Sequence, residues 1–155
     1  RIDTESFHRA LEYSMLQTPD VIFIGDIRTA DIMSIALTAA ETGQLVIANL
    51  HTISASHTIE RVVNFFQPHQ HAEIRMQLSL LLKGIMSMRL APLQDGSGRI
   101  PASEVLIPTP TIVDLMREGK IHEIEYYLKK NGFEVTVNSN NCGFEKIYAV
   151  NRESK

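Results

Sequence analysis

Short apolar runs alternate with segments of helical periodicity along the first part of the chain. The run Val21–Ile24 has no polar position, which is typical of strands in parallel sheets that are covered on both faces. A helix of small and aliphatic residues follows up to Glu41, and Gly43 stands where helices commonly end. A second strand is predicted over Leu45–Leu50. Because a strand, a helix and a strand follow one another, the two strands should lie side by side and parallel.

The rest of the chain continues this mixture up to about residue 130. Beyond Asn131 the sequence is aperiodic and turn-like, and we expect a divergent, poorly ordered tail over 131–155. The pattern therefore predicts an α/β fold. Helices are predicted at 3–16, 54–66, 71–84, 109–119 and 121–130, and a hairpin is predicted from strands 86–93 and 99–107 with a turn at 95–98.

Composition removes several classes of function. The 155 residues are 44% hydrophobic and 21% charged, as in a packed domain. The net charge of −3 gives no electrostatic basis for binding nucleic acid. The single cysteine, Cys142, excludes an internal disulfide framework and a multi-cysteine zinc site. We find neither a signal peptide nor an apolar run near the roughly 20 residues of a membrane span, and we expect a cytoplasmic protein.

Two residues at predicted strand ends are the strongest candidates for a catalytic or ligand-binding role. Asp26 follows Gly25 at the carboxyl end of the first strand, the layout of a Walker B carboxylate that holds Mg²⁺ beside a nucleotide phosphate. A helix N-cap or a salt bridge to Arg28 would also explain Asp26. His51 ends the neighbouring strand, so it should lie within reach of Asp26 and could contact a γ-phosphate. A half-buried histidine bonded to the backbone is the alternative.

Other candidate side chains are less specific. His69 and His71 form a His-x-His pair, but no third ligand stands at a diagnostic spacing. The phosphate-binding loop G-x-x-x-x-G-K-[S/T] does not occur, so either the protein binds no nucleotide or the loop lies before Arg1. Four arginines are candidates for phosphate or inter-subunit contacts, with surface ion pairs as the alternative: Arg28, Arg61, Arg75 and Arg89.

Several segments together resemble one family, the type IV pilus retraction ATPases of the PilT and PilU class. Their residues are more similar to the PilU-like branch. The resemblance spans about Asp3 to Lys130. The segments that carry it are Pro19–Arg28, Ala39–Gly43, Asn49–Thr52, Thr58–Val62, Met88–Leu90, Arg99–Ile107 and Thr109–Ile124.

The resemblance implies a fold and a set of site residues. It implies that residues 1–130 form an incomplete RecA-like P-loop ATPase core of parallel strands with flanking helices, a β-hairpin and C-terminal helices. It implies ATP and Mg²⁺ as cofactors, with Asp26 and His51 as catalytic residues and Asp26 as the metal ligand. The residues that it assigns to nucleotide binding are Gly25, Asp26, Arg28, Thr52, Arg61 and Arg89.

The resemblance also implies partners and a place in the cell. Members of the family form six-membered rings, here with copies of the chain or with a related retraction ATPase, and they act on the inner-membrane platform protein of the pilus. The protein would then be cytoplasmic and peripheral at the inner membrane. An N-terminal domain, the phosphate-binding loop and an acidic box would precede Arg1. A sheet cut at that point exposes apolar surface, so we expect the isolated chain to be marginally stable and inclined to associate.

The chain departs from the family pattern at several positions. The family usually has glutamate where this chain has Asp26, and a carboxylate shorter by one methylene reaches about 1 Å less far. Thr29 replaces a common aspartate, and Val113 replaces a basic residue of the retraction-type helix. The sequence after Lys130 does not resemble the family, which a frameshift near Gly132 would explain.

Three other interpretations stay open at this point. An accessory, non-catalytic ring subunit with a degenerate Walker B segment would also fit Asp26. A related assembly ATPase is disfavoured because such proteins typically carry a tetracysteine insert after the segment that corresponds to Arg89-Leu90, where this chain has no cysteine. A free-standing phosphate-binding α/β domain is the third.

Overall fold

The computed structural model describes residues 7–93, 97–135 and 147–150. A 3₁₀ turn at Pro68–Gln70 precedes the fourth helix. Helices in these ranges are α1 (Phe7–Leu16), α2 (Ala30–Glu41), α3 (Ala55–Asn64), α4 (His71–Leu81), α5 (Pro110–Glu118) and α6 (Ile121–Asn131). Strands are β1 (Val21–Ile24), β2 (Leu45–Ala48), β3 (Ile85–Pro92), β4 (Arg99–Leu106), β5 (Gly132–Val135) and β6 (Ile147–Val150).

The described residues fall into two compact units, and each is considered by itself. The first comprises described residues within 1–51 and 62–81, and the second comprises those within 52–61 and 82–155. Both units combine helices with strands, and β1 and β2 pair in parallel. This confirms the predicted α/β class with parallel strands, flanking helices and a hairpin.

In the first unit, β1, α2 and β2 follow one another as predicted. The side-chain oxygen of Thr29 caps α2 by accepting a hydrogen bond from the Ile32 N–H at 3.4 Å. Gly43, with φ of +98°, follows the end of α2 in the left-handed region that favours glycine. This short connection returns the chain directly to β2, whose Leu45 pairs with Val21 of β1.

Within the described residues, the sheet of β1 and β2 is covered on one face only, which corrects the prediction of two covered faces. Ile22 and Ile24 of β1 are buried, whereas Phe23 between them is 72% exposed. Leu45 and Ile47 of β2 are also exposed and pair directly with Val21 and Phe23. The apolar run predicted the strand correctly, but the described part of the chain supplies packing for only one side of the sheet.

In the second unit, β3 and β4 form the predicted antiparallel hairpin, in which Ser87 pairs with Glu104 and Met88 pairs with Ser103. Thr109 caps α5, and Gly119 ends it in a left-handed conformation with φ of +75°. The largest fully buried side chains in this unit lie on four elements, one on α3, one on β4, two on α5 and one on α6: Ile59, Leu106, Ile112, Met116 and Ile124.

The C-terminal region contains two described strands. β6 pairs antiparallel with β5 and parallel with β4, where Val105 is opposite Ala149. Residues 136–146 and 151–155 lie outside the described residues, as do residues 94–96 of the predicted hairpin turn. The predicted domain boundary near Lys130 and the predicted frameshift therefore stay predictions.

Candidate functional site

The site predicted at the strand ends lies in the first unit, just beyond β1 and β2. The parallel register continues to Ile24 opposite Ala48. The Asn49 N–H then donates to the Ile24 carbonyl at 3.2 Å, and the Asn49 carbonyl accepts from the Ile27 N–H at 3.1 Å. These two bonds keep the segments after the strands side by side, which is the edge where ligands bind in α/β folds.

Asp26 is the centre of this arrangement. Its carboxylate is 24% exposed, and its Oδ1 atom lies 3.6 Å from Nε2 of His51. Its Oδ2 atom accepts a hydrogen bond from Nε of Arg28, whose side chain extends largely into solvent. The salt bridge to Arg28 that was considered from the sequence is therefore present, whereas Thr29 and not Asp26 caps α2. Each carboxylate oxygen faces a different nitrogen-bearing side chain.

His51 is held in an unusual backbone conformation. Its φ of +48° lies in the left-handed region, which is uncommon for residues with a Cβ and costs about 1 kcal/mol. The imidazole is 65% exposed, so it is not the half-buried histidine of the alternative interpretation. The conformation aims an accessible ring at Asp26 and leaves ring surface free to meet a ligand.

Asn49 is a site residue that was not singled out from the sequence. Its Oδ1 atom accepts from the His51 N–H at 3.5 Å, while its backbone bonds the end of β1. An asparagine side chain that accepts from the N–H two residues later is a common turn feature. The spacing of Asn49 and His51 was the signal that could have identified this role.

Gly25 has no packing reason to be glycine within the described residues. An added Cβ would meet no atom of those residues within 4 Å, and its φ is not positive. The predicted role of Gly25 in nucleotide binding stays a prediction.

Three predicted site residues belong to the second unit. The Thr52 hydroxyl shares a hydrogen bond with the Thr58 hydroxyl in the first part of α3. Arg61 lies in the last turn of α3. The Arg89 guanidinium of β3 donates to the carbonyl of Ile53, with its Nε at 3.0 Å. The predicted site residues therefore fall into two groups. The structure brings Asp26, Arg28 and His51 together in the first unit. It places Thr52 and Arg89 in hydrogen bonds within the second unit.

The described residues contain no cluster of three or more His, Cys, Asp or Glu that could hold a metal ion. In the His69 and His71 pair, His71 Nε2 lies 3.0 Å from the Phe66 carbonyl. In the same part of the chain, every helix is too short or too polar to cross a membrane.

Comparison with known proteins identifies the family. Residues 3–104 match the family described as "Type II/IV secretion system protein". The chain is 42% identical over 130 residues to the type IV pilus ATPase PilU of Pseudomonas aeruginosa. The aligned residues make up 84% of the chain and 34% of that protein. It is 40% identical over 130 residues to the retraction ATPase PilT of the same organism, covering 84% of the chain and 38% of that protein.

The fold agrees with a solved structure of this class. The crystal structure of the pilus retraction motor PilT with bound ADP matches with a TM-score of 0.76 and 43% identity, over 83% of this chain and 37% of that one. The chain thus spans about one third of the length of the relatives that it matches. It belongs to the type II/IV secretion system protein family and, within it, to the pilus retraction ATPases of the PilT and PilU class.

Proposed function

We propose that this chain supplies the catalytic carboxylate and a phosphate-sensing histidine to an ATP-hydrolysing motor that powers type IV pilus retraction. The observation that carries the proposal is the 3.6 Å approach of Asp26 Oδ1 to His51 Nε2 at the ends of two parallel strands. The retraction motor with bound ADP supports nucleotide as the ligand class.

The donor set at this edge fits Mg²⁺ held together with ATP. Mg²⁺ prefers oxygen ligands and is usually bound through one or two carboxylates, with water and phosphate oxygens completing its shell. Asp26 offers one accessible carboxylate, so a larger cluster of acidic residues is not required. Bound with ATP, Mg²⁺ neutralises charge that develops on the phosphates during hydrolysis.

The side chains around Asp26 have complementary tasks. Asp26 holds the metal, directly or through water, and orients the attacking water. His51 donates a hydrogen bond to the γ-phosphate and so distinguishes ATP from ADP. Arg28 is hydrogen-bonded to Asp26 and extends into solvent, and its guanidinium forms a charge-assisted hydrogen bond with a phosphate. Because phosphoryl transfer depends on positioning and charge stabilisation, these tasks account for the part of catalysis that this chain can supply.

The remaining predicted residues complete the proposed site in the assembled protein. Gly25 lets the nucleotide approach the backbone after β1, and the Thr52 hydroxyl contacts a phosphate. Arg61 and Arg89 couple the nucleotide to neighbouring elements. The assembled protein is a ring of six subunits, formed with copies of the chain or with a related retraction ATPase. It works at the cytoplasmic face of the inner membrane on the platform protein of the pilus.

The test is Mg²⁺-dependent ATP hydrolysis by the complete gene product that contains these residues. We expect Asp26→Ala to lower kcat by about 100-fold or more, as removal of a key transition-state contact does. Asp31→Ala, which removes an exposed carboxylate from the first turn of α2, is the matched control and should leave the rate unchanged. We expect no hydrolysis by the isolated 155 residues. If the isolated chain did hydrolyse ATP, and if Asp26→Ala abolished that hydrolysis, the proposal would be contradicted.

A second function, an accessory ring subunit without turnover, is favoured by one observation. Both oxygens of the short Asp26 carboxylate already face Arg28 and His51. Asp26→Glu in the complete gene product separates the two functions. A large rise in hydrolysis would favour the accessory subunit, and an unchanged or lower rate would favour an active motor.

A further inference from the structure

The β3–β4 hairpin holds the segment between His51 and α3 at two backbone groups. From β3, the Arg89 guanidinium donates to the Ile53 carbonyl, with its Nε at 3.0 Å. From β4, the Glu104 Oε1 atom accepts from the Ala55 N–H at 2.6 Å. The two bonded groups lie two residues apart in one short stretch of chain, and both bonds lie within the second unit.

The hairpin register explains how one element reaches both groups. Glu104 is opposite Ser87, which is two residues before Arg89 on β3. Side chains two residues apart on a strand share a face, so Arg89 and Glu104 are diagonal neighbours on the same face of the hairpin. One cation and one carboxylate on that face therefore match one carbonyl and one N–H of the facing segment.

The bond from Glu104 satisfies a group that would otherwise lack a partner. Ala55 is the first residue of α3 and is fully buried, and the first N–H groups of a helix have no partner within the helix. Ser54 caps the same helix by accepting from the His57 N–H at 3.3 Å, so it does not serve Ala55. The negative charge of Glu104 also lies at the favourable end of the helix dipole.

We propose that Glu104 and Arg89 are positioning residues that act through His51, an inference that rests on the proposed function. The clamped Ile53 follows His51 by two residues, and His51 has a left-handed backbone that must be held in place. Holding the backbone that follows His51 in one conformation limits the φ and ψ values that His51 can adopt, and with them the side-chain rotamers open to its imidazole. A misplacement of about 1 Å in a catalytic group can lower a rate by about 100-fold. A clamp two residues after His51 should therefore affect turnover.

A double-mutant cycle in the complete gene product tests the inference. We expect Glu104→Ala to lower kcat for ATP hydrolysis about tenfold while the KM for ATP changes less than about twofold, because positioning and not nucleotide binding is lost. Glu104→Gln should restore most of the rate, since its amide oxygen accepts the same hydrogen bond. In a His51→Ala background, Glu104→Ala should have no further effect. Glu60→Ala, on the exposed side of α3, is the matched control and should behave as the unchanged protein.

The outcomes separate this inference from the proposed function. If His51→Ala leaves hydrolysis unchanged, the proposed function fails. If His51→Ala lowers hydrolysis but Glu104→Ala lowers it equally in both backgrounds, the function stands and the positioning inference is overturned. Should Glu104→Ala fail to fold, the same cycle with Arg89→Ala decides the question.

Amide hydrogen exchange provides a readout that does not depend on hydrolysis. Glu104→Ala should speed exchange of the Ala55 amide by about tenfold or more, because the N–H loses its acceptor. Glu104→Gln should leave that amide protected. An Ala55 amide that exchanges equally slowly in both variants would overturn the clamp itself.

Discussion

Asp26 and His51 face each other across the ends of two parallel strands, with 3.6 Å between Oδ1 and Nε2. The other carboxylate oxygen of Asp26 accepts from Arg28. The Asn49 backbone bonds to Ile24 and Ile27, so the segments that carry these side chains are tied to one another. The site is thus assembled from two short stretches whose separation is set by the sheet, and its orientation by the backbone of His51.

The left-handed backbone of His51 predicts an unusual order of stabilities. Because φ is +48°, we expect His51→Gly to unfold with a free energy about 1 kcal/mol higher than His51→Ala. Urea denaturation of the two variants measures the difference. At exposed Ser34 in the middle of α2, the matched pair should show the opposite order, with glycine less stable than alanine by about 1 kcal/mol. Equal stabilities at position 51 would contradict the strained conformation.

The one-sided cover of the sheet predicts very different costs at neighbouring positions of β1. Ile24 is 1% exposed, so Ile24→Ala should lower the free energy of unfolding of the chain by about 2–5 kcal/mol. Phe23→Ala should change it by less than about 0.5 kcal/mol, because the ring is already in water. Chemical denaturation of the 155-residue chain, at concentrations low enough for it to be monomeric, gives both values. A cost above 2 kcal/mol at Phe23 would show that its ring is covered.

The exposed face of the same sheet predicts self-association of the isolated chain. Val21, Phe23, Leu45 and Ile47 form two directly paired rows of exposed apolar side chains. A contiguous apolar patch of this kind favours association. Sedimentation velocity should show oligomers, and Phe23→Lys should shift the chain towards monomer. Thr38→Lys, on the exposed side of α2, is the matched charge control and should leave the distribution unchanged. A clean monomer before any substitution would contradict this prediction.

An exposed ion pair on α6 predicts a small effect of acid pH. Lys129 Nζ donates to Glu125 Oε1 at 2.7 Å, and this hydrogen bond and the charge of Lys129 lower the pKa of Glu125. A carboxyl with a lowered folded-state pKa stabilises the fold above its unfolded pKa of about 4.3, and that contribution is lost as the pH falls through the folded value. Since both side chains are about half exposed, the contribution stays below about 1 kcal/mol.

Carbon-detected NMR titration of the Glu125 carboxyl checks this prediction. Lys129→Ala should return the pKa of Glu125 towards its ordinary value. Lys130→Ala removes an exposed charge next in sequence and should leave it where it is. A pKa that does not respond to Lys129→Ala would show that the pair does not form in solution.

The sequence predicted elements well where one local signal decided them. Gly43 and Gly119 mark helix ends, and both have positive φ. Thr109 was predicted at the start of α5 and caps it. Such signals act within a few residues, so the chain around them adopts the same conformation in most contexts.

Contacts between distant positions were not predictable in the same way. Arg89 was predicted to contact phosphate or couple the nucleotide to other elements, and the structure shows it bonded to the Ile53 carbonyl, 36 residues away in sequence. Glu104, which bonds the Ala55 N–H 49 residues away, was not singled out at all. The periodicity of β3 and β4 does not specify which backbone groups their polar faces meet.

The sequence by itself determined the alternation of strands and helices, the parallel neighbours β1 and β2, and hence the meeting of Asp26 with His51, because a strand–helix–strand connection brings strand ends together. Only the tertiary structure decided which face of that sheet is buried, the left-handed backbone of His51 and the clamp from Arg89 and Glu104. These features depend on which surfaces pack together in three dimensions, and local residue patterns carry little information on that.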